Sequence, residues 1–120
     1  VFKTELSDKD EFPFEGGWLL NTHEYLRHSG LPAVKAITVN KLSDSELQKQ
    51  QYIIAFDADI ESMEGAALHY VCLQENIPFL QIRSVSNYIG ERDKTKWKLK
   101  EAIENLNSEL ISLINGPACR

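Results

Sequence analysis

Glu64 is the side chain of this sequence best placed to bind a polar ligand. It follows Ser62 and Met63 where a short predicted strand runs into a helix. With Ser62 as the N-cap, Glu64 lies in the first helical turn, where the helix dipole favours an ionised carboxylate. Its two oxygens can each accept a hydrogen bond from one of two neighbouring hydroxyls, as a ribose 2′,3′-diol presents them. The alternative is that Glu64 only stabilises the first turn, and without further context that role is the commoner one.

Asn87 offers a second polar group, at the end of the apolar segment 79–85. A side-chain amide donates and accepts hydrogen bonds at once, which suits a 6-oxopurine with its carbonyl oxygen and N7. A turn-forming asparagine is the alternative. Because ligands of open α/β sheets bind beyond the carboxyl ends of the strands, Glu64 and Asn87 together predict a pocket for a polyhydroxylated, nitrogen-rich small molecule.

Residues near these two side chains have both a functional and a structural interpretation. Met63 suits the apolar face of a sugar, but a single methionine more often fills a core. Gly65, followed by two alanines, permits the close approach of a ligand or of a neighbouring strand. Arg83, a charge inside a predicted buried strand, is interpreted as one partner of a structural ion pair. His69 is expected to be packed or exposed to solvent, and not reactive.

Strand and helix patterns alternate along the chain, which predicts a single α/β domain over residues 1–120 with parallel strands and right-handed crossovers. The predicted strands are residues 33–39, 59–62 and 79–85. The predicted helices are residues 18–29, 43–50 and 63–76, and a last one that Asp93 or Thr95 caps and that stops at 115–117. Residues 52–56 fit a helix end or a strand, and residues 1–17 fit an acidic loop.

Two of the predicted helices carry apolar residues at the spacing of one buried face. The residues are Met63, Ala66, Ala67, Tyr70 and Val71 on the first helix, and Leu99, Ala102, Ile103, Leu106, Leu110, Leu113 and Ile114 on the second.

Composition argues against several classes of protein. A net charge of −5 disfavours binding to nucleic acid or to an anionic membrane surface. No apolar run approaches the roughly 18 residues that span a bilayer, and the first residues lack a signal-peptide pattern. Cys72 and Cys119 are not expected to pair, and 3 histidines without a Cys-x-x-Cys pattern predict no metal site. A reducing cytoplasm is the expected location.

Four segments together resemble the nucleoside phosphorylase and nucleosidase family, and within it the futalosine hydrolase branch. They are Glu61-Ser62-Met63-Glu64-Gly65-Ala66-Ala67, Tyr70-Val71-Cys72, Ile77-Pro78-Phe79 and Arg83-Ser84-Val85-Ser86-Asn87. The resemblance runs from residue 31 to the C-terminus, and residues 10–14 are also similar to this branch. It implies part of a three-layer fold in which helices flank a mixed, mostly parallel sheet.

The resemblance also implies roles for individual residues. Glu64 matches the glutamate that holds the ribose hydroxyls, Met63 matches the methionine beside the sugar, and Ser62 is grouped with them as a substrate-binding residue. Asn87 stands where adenosine-type nucleosidases carry an aspartate that protonates purine N7, which favours a 6-oxopurine here. Asn87 is therefore expected to stabilise the leaving base.

The function that the resemblance implies is hydrolysis of the N-glycosidic bond of futalosine, which releases hypoxanthine in menaquinone biosynthesis. No cofactor is expected. The protein is expected to form a homo-oligomer. In the family, the carboxylate that activates water lies in the N-terminal half, and nothing in residues 1–31 supplies one. The chain is therefore expected to be the C-terminal portion of a larger nucleosidase and inactive alone. A purine nucleoside phosphorylase and a non-catalytic nucleoside-binding domain remain open as alternatives.

Overall fold

The computed structural model describes residues 10–41, 43 and 45–116. The strands are β1 (Phe14–Glu15), β2 (Trp18–Leu19), β3 (Ala36–Thr38) and β4 (Ile60–Ser62). The helices are α1 (Tyr25–His28), α2 (Glu46–Phe56), α3 (Gly65–Gln74) and α4 (Leu99–Asn115), with a 3₁₀ turn at Lys94–Lys96 before α4. The predicted α/β class is confirmed.

Strands β1 and β2 form an antiparallel hairpin, in which Phe14 pairs with Leu19 and Glu15 with Trp18. Gly16 and Gly17 connect them with φ angles of 58° and 84°. A two-residue hairpin turn with positive φ at both central positions is typical of type I′, and glycine adopts these angles without strain. The predicted loop over residues 1–17 is therefore wrong at Phe14–Glu15, and residues 1–9 lie outside the described residues. The predicted helix 18–29 is wrong at its start and is reduced to α1.

Strands β3 and β4 form the expected parallel pair, with Ala36 opposite Ile60 and Thr38 opposite Ser62. Helix α2 connects them. It begins after Ser45, whose side chain accepts a hydrogen bond from the Gln48 amide, and it ends at Asp57 in the left-handed conformation. Residues 52–56 are thus the end of this helix, which starts later than the predicted residue 43 and extends past residue 50.

Helix α3 buries a different face from the predicted one. Its buried residues are Gly65 and Cys72, and His69 between them is half-buried, so the inward stripe has the spacing i, i+4, i+7. Tyr70 and Val71, expected inside, are 41% and 54% exposed. The prediction was wrong because α3 packs mainly on β2 and β3 along one narrow side, and among the described residues the other side meets little more than the ring of Phe14, 5.9 Å from that of Tyr70.

Residues 79–85 do not form the predicted strand, since no ladder of backbone hydrogen bonds reaches them within the described ranges. Side chains hold the segment instead: the Asn21 amide donates to the Phe79 carbonyl at 2.9 Å. Farther along, the Lys98 amide donates to the Ser86 carbonyl at 2.8 Å.

Asp93 caps the 3₁₀ turn and not α4, by accepting from the Thr95 amide. Helix α4 ends at Asn115 with Gly116 as its C-cap, and Pro117 of the predicted stop lies outside the described residues. Of the predicted apolar stripe of α4, only Ala102 is buried. No helix in the described ranges is long and apolar enough to cross a membrane.

The core is small for a chain of this length. Ile37, Cys72 and Ala102 are buried hydrophobic residues of the described chain, and Ser43, Ser62, Pro13 and Gly65 are buried as well. The accessible surface is 9138 Å², whereas a compact monomer of 13.7 kDa exposes about 6,600 Å². The molecule is a plate of 44 × 42 × 19 Å. Its excess surface is largely apolar side chain.

Candidate functional site

Thr38 and Ser62 end the two parallel strands side by side, with their hydroxyl oxygens 3.4 Å apart. Both hydroxyls face the beginning of α3. The Gly65 amide donates to Ser62 Oγ at 3.3 Å, and the Ala66 amide donates to Thr38 Oγ1 at 2.9 Å. The first amides of a helix have no partner within the helix. Here a pair of hydroxyls from two neighbouring strands, the strand-tip hydroxyl pair, supplies their acceptors.

Glu64 is itself the N-cap residue of α3, and its side chain makes no capping hydrogen bond. The prediction that Ser62 is the N-cap and that Glu64 lies in the first turn is therefore wrong by two residues. Parallel pairing with Thr38 keeps Ser62 in β4, so the helix begins only at Gly65. The exposed Glu64 carboxylate has no hydrogen bond or ion pair to any described residue, which leaves both oxygens available to a ligand.

Met63 lies beside Glu64 in the link between β4 and α3, and it is 45% exposed. Within the described part of the chain it fills no core. The structure therefore brings Ser62, Met63 and Glu64 together at the carboxyl end of β4, with the first buried and the other two open to solvent.

Gly65 lets a second segment approach the start of α3 closely. A Cβ at this position would lie 2.8 Å from Ser62 Oγ, 3.0 Å from Gln81 Oε1 and 3.1 Å from an Arg83 guanidinium nitrogen. Gln81 Nε2 donates to the Gly65 carbonyl at 3.3 Å, and Arg83 Nε donates to Gln81 Oε1 at 3.0 Å. These contacts attach residues 79–85 to α3 without a strand.

Arg83 forms no ion pair with a described residue, so the predicted structural ion pair is wrong. The side chain is exposed and hydrogen-bonds to the neutral Gln81 amide. Because water reaches the guanidinium, its charge needs no carboxylate partner.

Asn87 follows this attached segment and is half-buried. The Ser86 hydroxyl donates to Asn87 Oδ1 at 2.7 Å, and Asn87 Nδ2 donates to the Tyr88 carbonyl at 3.1 Å. These local bonds orient the amide. No hydrogen bond in the described ranges joins Asn87 to Glu64, and their sharing of one pocket stays a prediction.

A cavity of about 490 Å³ opens next to the start of α3. This volume lies in the range of small-molecule sites. The cavity is lined by residues of the hairpin, of α1, of the segment 31–36, of β3 and β4, of residues 80–85 and of α3. It includes Thr38, Gly65 and His69, but the four predicted residues Ser62, Met63, Glu64 and Asn87 do not line it.

His69 packs at the inner side of this cavity. Its Nδ1 lies 3.3 Å from the Gly65 carbonyl oxygen, and its ring meets Phe79 edge-on at 4.7 Å between centroids. Burial lowers the pKa of His69; the hydrogen bond to Gly65 opposes this change and the positive charge of Arg83 adds to it. His69 is thus packed, as one of the two expectations had it, and its lowered pKa favours the neutral ring.

Thr38 and Gln81 contribute to the site but were not identified from the sequence. Both are polar residues in short apolar segments, and Thr38 occupies the last position of its strand. A hydroxyl residue at a strand tip was the one available signal. Within the residues described, no group of three histidine, cysteine or acidic side chains converges as metal ligands.

The structure is that of an α/β protein in which two parallel strands end in hydroxyl side chains at the start of a helix. The chain belongs to the phosphorylase superfamily, whose family model matches residues 5–115. It is 32% identical over 97 residues to a futalosine hydrolase of Thermus thermophilus, a match that covers 81% of this chain and 42% of that protein. It is 37% identical over 53 residues to a futalosine hydrolase of Streptomyces coelicolor, covering 44% of this chain and 23% of that protein.

The matched region thus spans less than half the length of these two relatives. The family match also begins much earlier than residue 31, where the resemblance was expected to start. No solved structure matches the chain.

Proposed function

We propose that this chain is part of a nucleosidase that hydrolyses the N-glycosidic bond of futalosine and releases hypoxanthine, a reaction of menaquinone biosynthesis. The observation that carries the proposal is the Glu64 carboxylate. It is exposed at the start of a helix whose first amides are already bonded to the strand-tip hydroxyl pair. Capping of α3 therefore does not explain the presence of a carboxylate at position 64. An ionised carboxylate is well suited to accept hydrogen bonds from a ribose diol.

In the proposed reaction the bond between the sugar C1′ and the base nitrogen breaks, and water adds to C1′. Glu64 orients the ribose, Met63 contacts the sugar, and Asn87 stabilises the negative charge that arrives on the departing base. The two futalosine hydrolases among the relatives support futalosine as the substrate. The amide of Asn87 supports a 6-oxopurine base, because it can donate to one base atom and accept from another.

The complete enzyme is proposed to have the three-layer fold with a mostly parallel sheet, of which this chain forms the C-terminal portion. The large exposed apolar surface supports a further layer. A carboxylate outside this chain would then activate the water. We also propose a homo-oligomer located in the cytoplasm, where Cys72, a buried free thiol, stays reduced; Cys119 lies outside the described residues.

Phosphorolysis by the same family is the second candidate. It needs a site for phosphate, and the start of a helix is a common one. At α3 the amides of Gly65 and Ala66 already donate to protein hydroxyls, so this helix does not offer them to an anion. Helix α3 thus gives phosphorolysis no support, and the two futalosine hydrolases among the relatives favour hydrolysis.

Calorimetric titration of the 120-residue chain with inosine and futalosine tests the proposal. Glu64→Gln should weaken binding of both by about tenfold or more, the effect of losing charged hydrogen bonds. Its melting temperature should not change, because the carboxylate contacts no described residue. Glu104→Gln, on the exposed side of α4, is the matched control and should bind as the unaltered chain does. Equal affinities of the unaltered chain and Glu64→Gln would contradict the ribose-binding role.

The reaction type is tested in a nucleosidase that contains this chain together with the further portion proposed above. Hydrolysis should release hypoxanthine in phosphate-free buffer and leave a free sugar. A strict requirement for phosphate, with a sugar 1-phosphate as product, would assign phosphorolysis instead.

A further inference from the structure

We propose that Thr38 is a positioning residue for Glu64, because its hydroxyl takes over the capping of α3 and so leaves the Glu64 carboxylate to the ligand. This inference rests on the proposed function. It assigns a role to a residue on β3, a strand that contributes no other member of the candidate site.

The hydrogen bonds at the start of α3 carry the inference. The Ala66 amide donates to Thr38 Oγ1 at 2.9 Å, the shorter of the two bonds to the strand-tip hydroxyl pair. The third amide, of Ala67, donates to the Glu64 backbone carbonyl at 3.1 Å. With these donors satisfied, none of the first three amides of α3 is left to hydrogen-bond the Glu64 side chain.

Removal of the Thr38 hydroxyl would reverse this arrangement. The Ala66 amide is part-buried, and a buried donor without a partner is costly. The nearest flexible acceptor along the chain is the Glu64 carboxylate, two residues before Ala66. A carboxylate at the N-cap bonds readily to the amides of the first turn. It would then be held by the helix and would no longer be free to accept from the ribose diol.

Thr38→Val and Thr38→Ser separate this role from a merely structural one. Valine keeps the shape of threonine and suits a strand, whereas serine keeps the hydroxyl. The ligands are inosine and 2′,3′-dideoxyinosine, which lacks the two hydroxyls that Glu64 would bind. In Thr38→Val the preference for inosine over the dideoxy analogue should fall by about tenfold, the effect of one charged hydrogen bond. In Thr38→Ser the preference should be retained.

Amide hydrogen exchange of Ala66, measured by NMR without ligand, tests the cap itself. Exchange should be faster in Thr38→Val than in the unaltered chain and in Thr38→Ser. Unchanged exchange in Thr38→Val would overturn the capping role. If Thr38→Val lost equal affinity for inosine and for the dideoxy analogue, the positioning role of Thr38 would be overturned. The substitution would then act through a general effect on the fold.

If the unaltered chain itself shows no preference for inosine, the proposed function fails, and the positioning role fails with it. That outcome is seen without any substitution. It is therefore distinguishable from a failure that appears only in the Thr38 variants.

Discussion

Glu61 binds Ser43 through both carboxylate oxygens: Oε1 accepts from the Ser43 amide at 2.9 Å and Oε2 accepts from the Ser43 hydroxyl at 2.5 Å. Ser43 is 4% exposed and follows β3, whereas Glu61 is the middle residue of β4. The side chain of Glu61 thus fixes the chain that leaves β3, at the same end of the sheet as the strand-tip hydroxyl pair. Glu61 and Glu64 are close in sequence but have different tasks, one within the fold and one toward solvent.

Glu61→Gln should lower the free energy of unfolding by about 1–3 kcal/mol, because the buried Ser43 donors lose a charged acceptor. Urea denaturation followed by circular dichroism measures the change. Glu104→Gln removes the same charge from an exposed pair with Lys100, whose charged atoms are 3.8 Å apart. It should change stability by a few tenths of a kcal/mol at most. Equal effects of the two substitutions would contradict the role of Glu61.

His69 should make stability depend on pH. Its pKa in the folded chain lies below the ordinary value of about 6.5, so the unfolded chain binds the proton more readily. The contribution of neutral His69 to the free energy of unfolding should therefore be complete above about pH 6.5. It should be lost progressively as the pH falls below that value. The dependence of the free energy of unfolding on pH is measured by urea denaturation between about pH 5 and about pH 8, the range in which histidine titrates.

His69→Phe should reduce that slope, because phenylalanine carries no titrating group and can still pack on Phe79. The Gly65 carbonyl keeps a donor from Gln81 in this variant. The same change at the exposed His28 is the control and should leave the slope as it is. A slope that persists in His69→Phe would show that other groups cause the pH dependence.

Asn87→Asp should shift the preference from 6-oxopurine toward adenine nucleosides. The substitution replaces the donor Nδ2, 3.1 Å from the Tyr88 carbonyl, by an oxygen. Two acceptors at that distance repel each other unless the carboxyl group holds a proton. A carboxyl group can give this one proton to purine N7, whereas an amide cannot act as an acid. The ratio of the dissociation constants of adenosine and inosine, measured by calorimetry, should change by about tenfold.

Asn105→Asp, on an exposed position of α4, is the control for the added charge and should leave this ratio unchanged. An unchanged ratio in Asn87→Asp would contradict the view that Asn87 reads the base.

Local chemistry in the sequence predicted part of this structure well. Gly116 marks the end of α4 as predicted, whereas α2 begins after Ser45 and not at the predicted residue 43. The order of strand, helix and parallel strand followed from the apolar pattern. The Gly16-Gly17 turn also had a local cause, but two strands of two residues each are too short to show an alternating pattern. The helix predicted over residues 18–29 was wrong at its start for this reason.

Features that depend on distant partners were not predictable. Residues 79–85 have the composition of a central strand, but a strand exists only where a neighbour supplies the ladder. The apolar face of α4 was correctly seen as apolar, yet what covers it is not among the described residues. At the site, Glu64 was found because its residue type suggests its chemistry. Thr38 was missed because its role comes from an amide far away in the chain.

The capping of α3 also sets an order of folding events. Ala66 and Thr38 are 28 residues apart in sequence, so their hydrogen bond closes a long loop and forms only after β3 and β4 have paired. An isolated peptide containing α3 would lack this acceptor and would fray at the end that carries Glu64. The link that carries Glu64 should therefore become ordered only when the two parallel strands have paired.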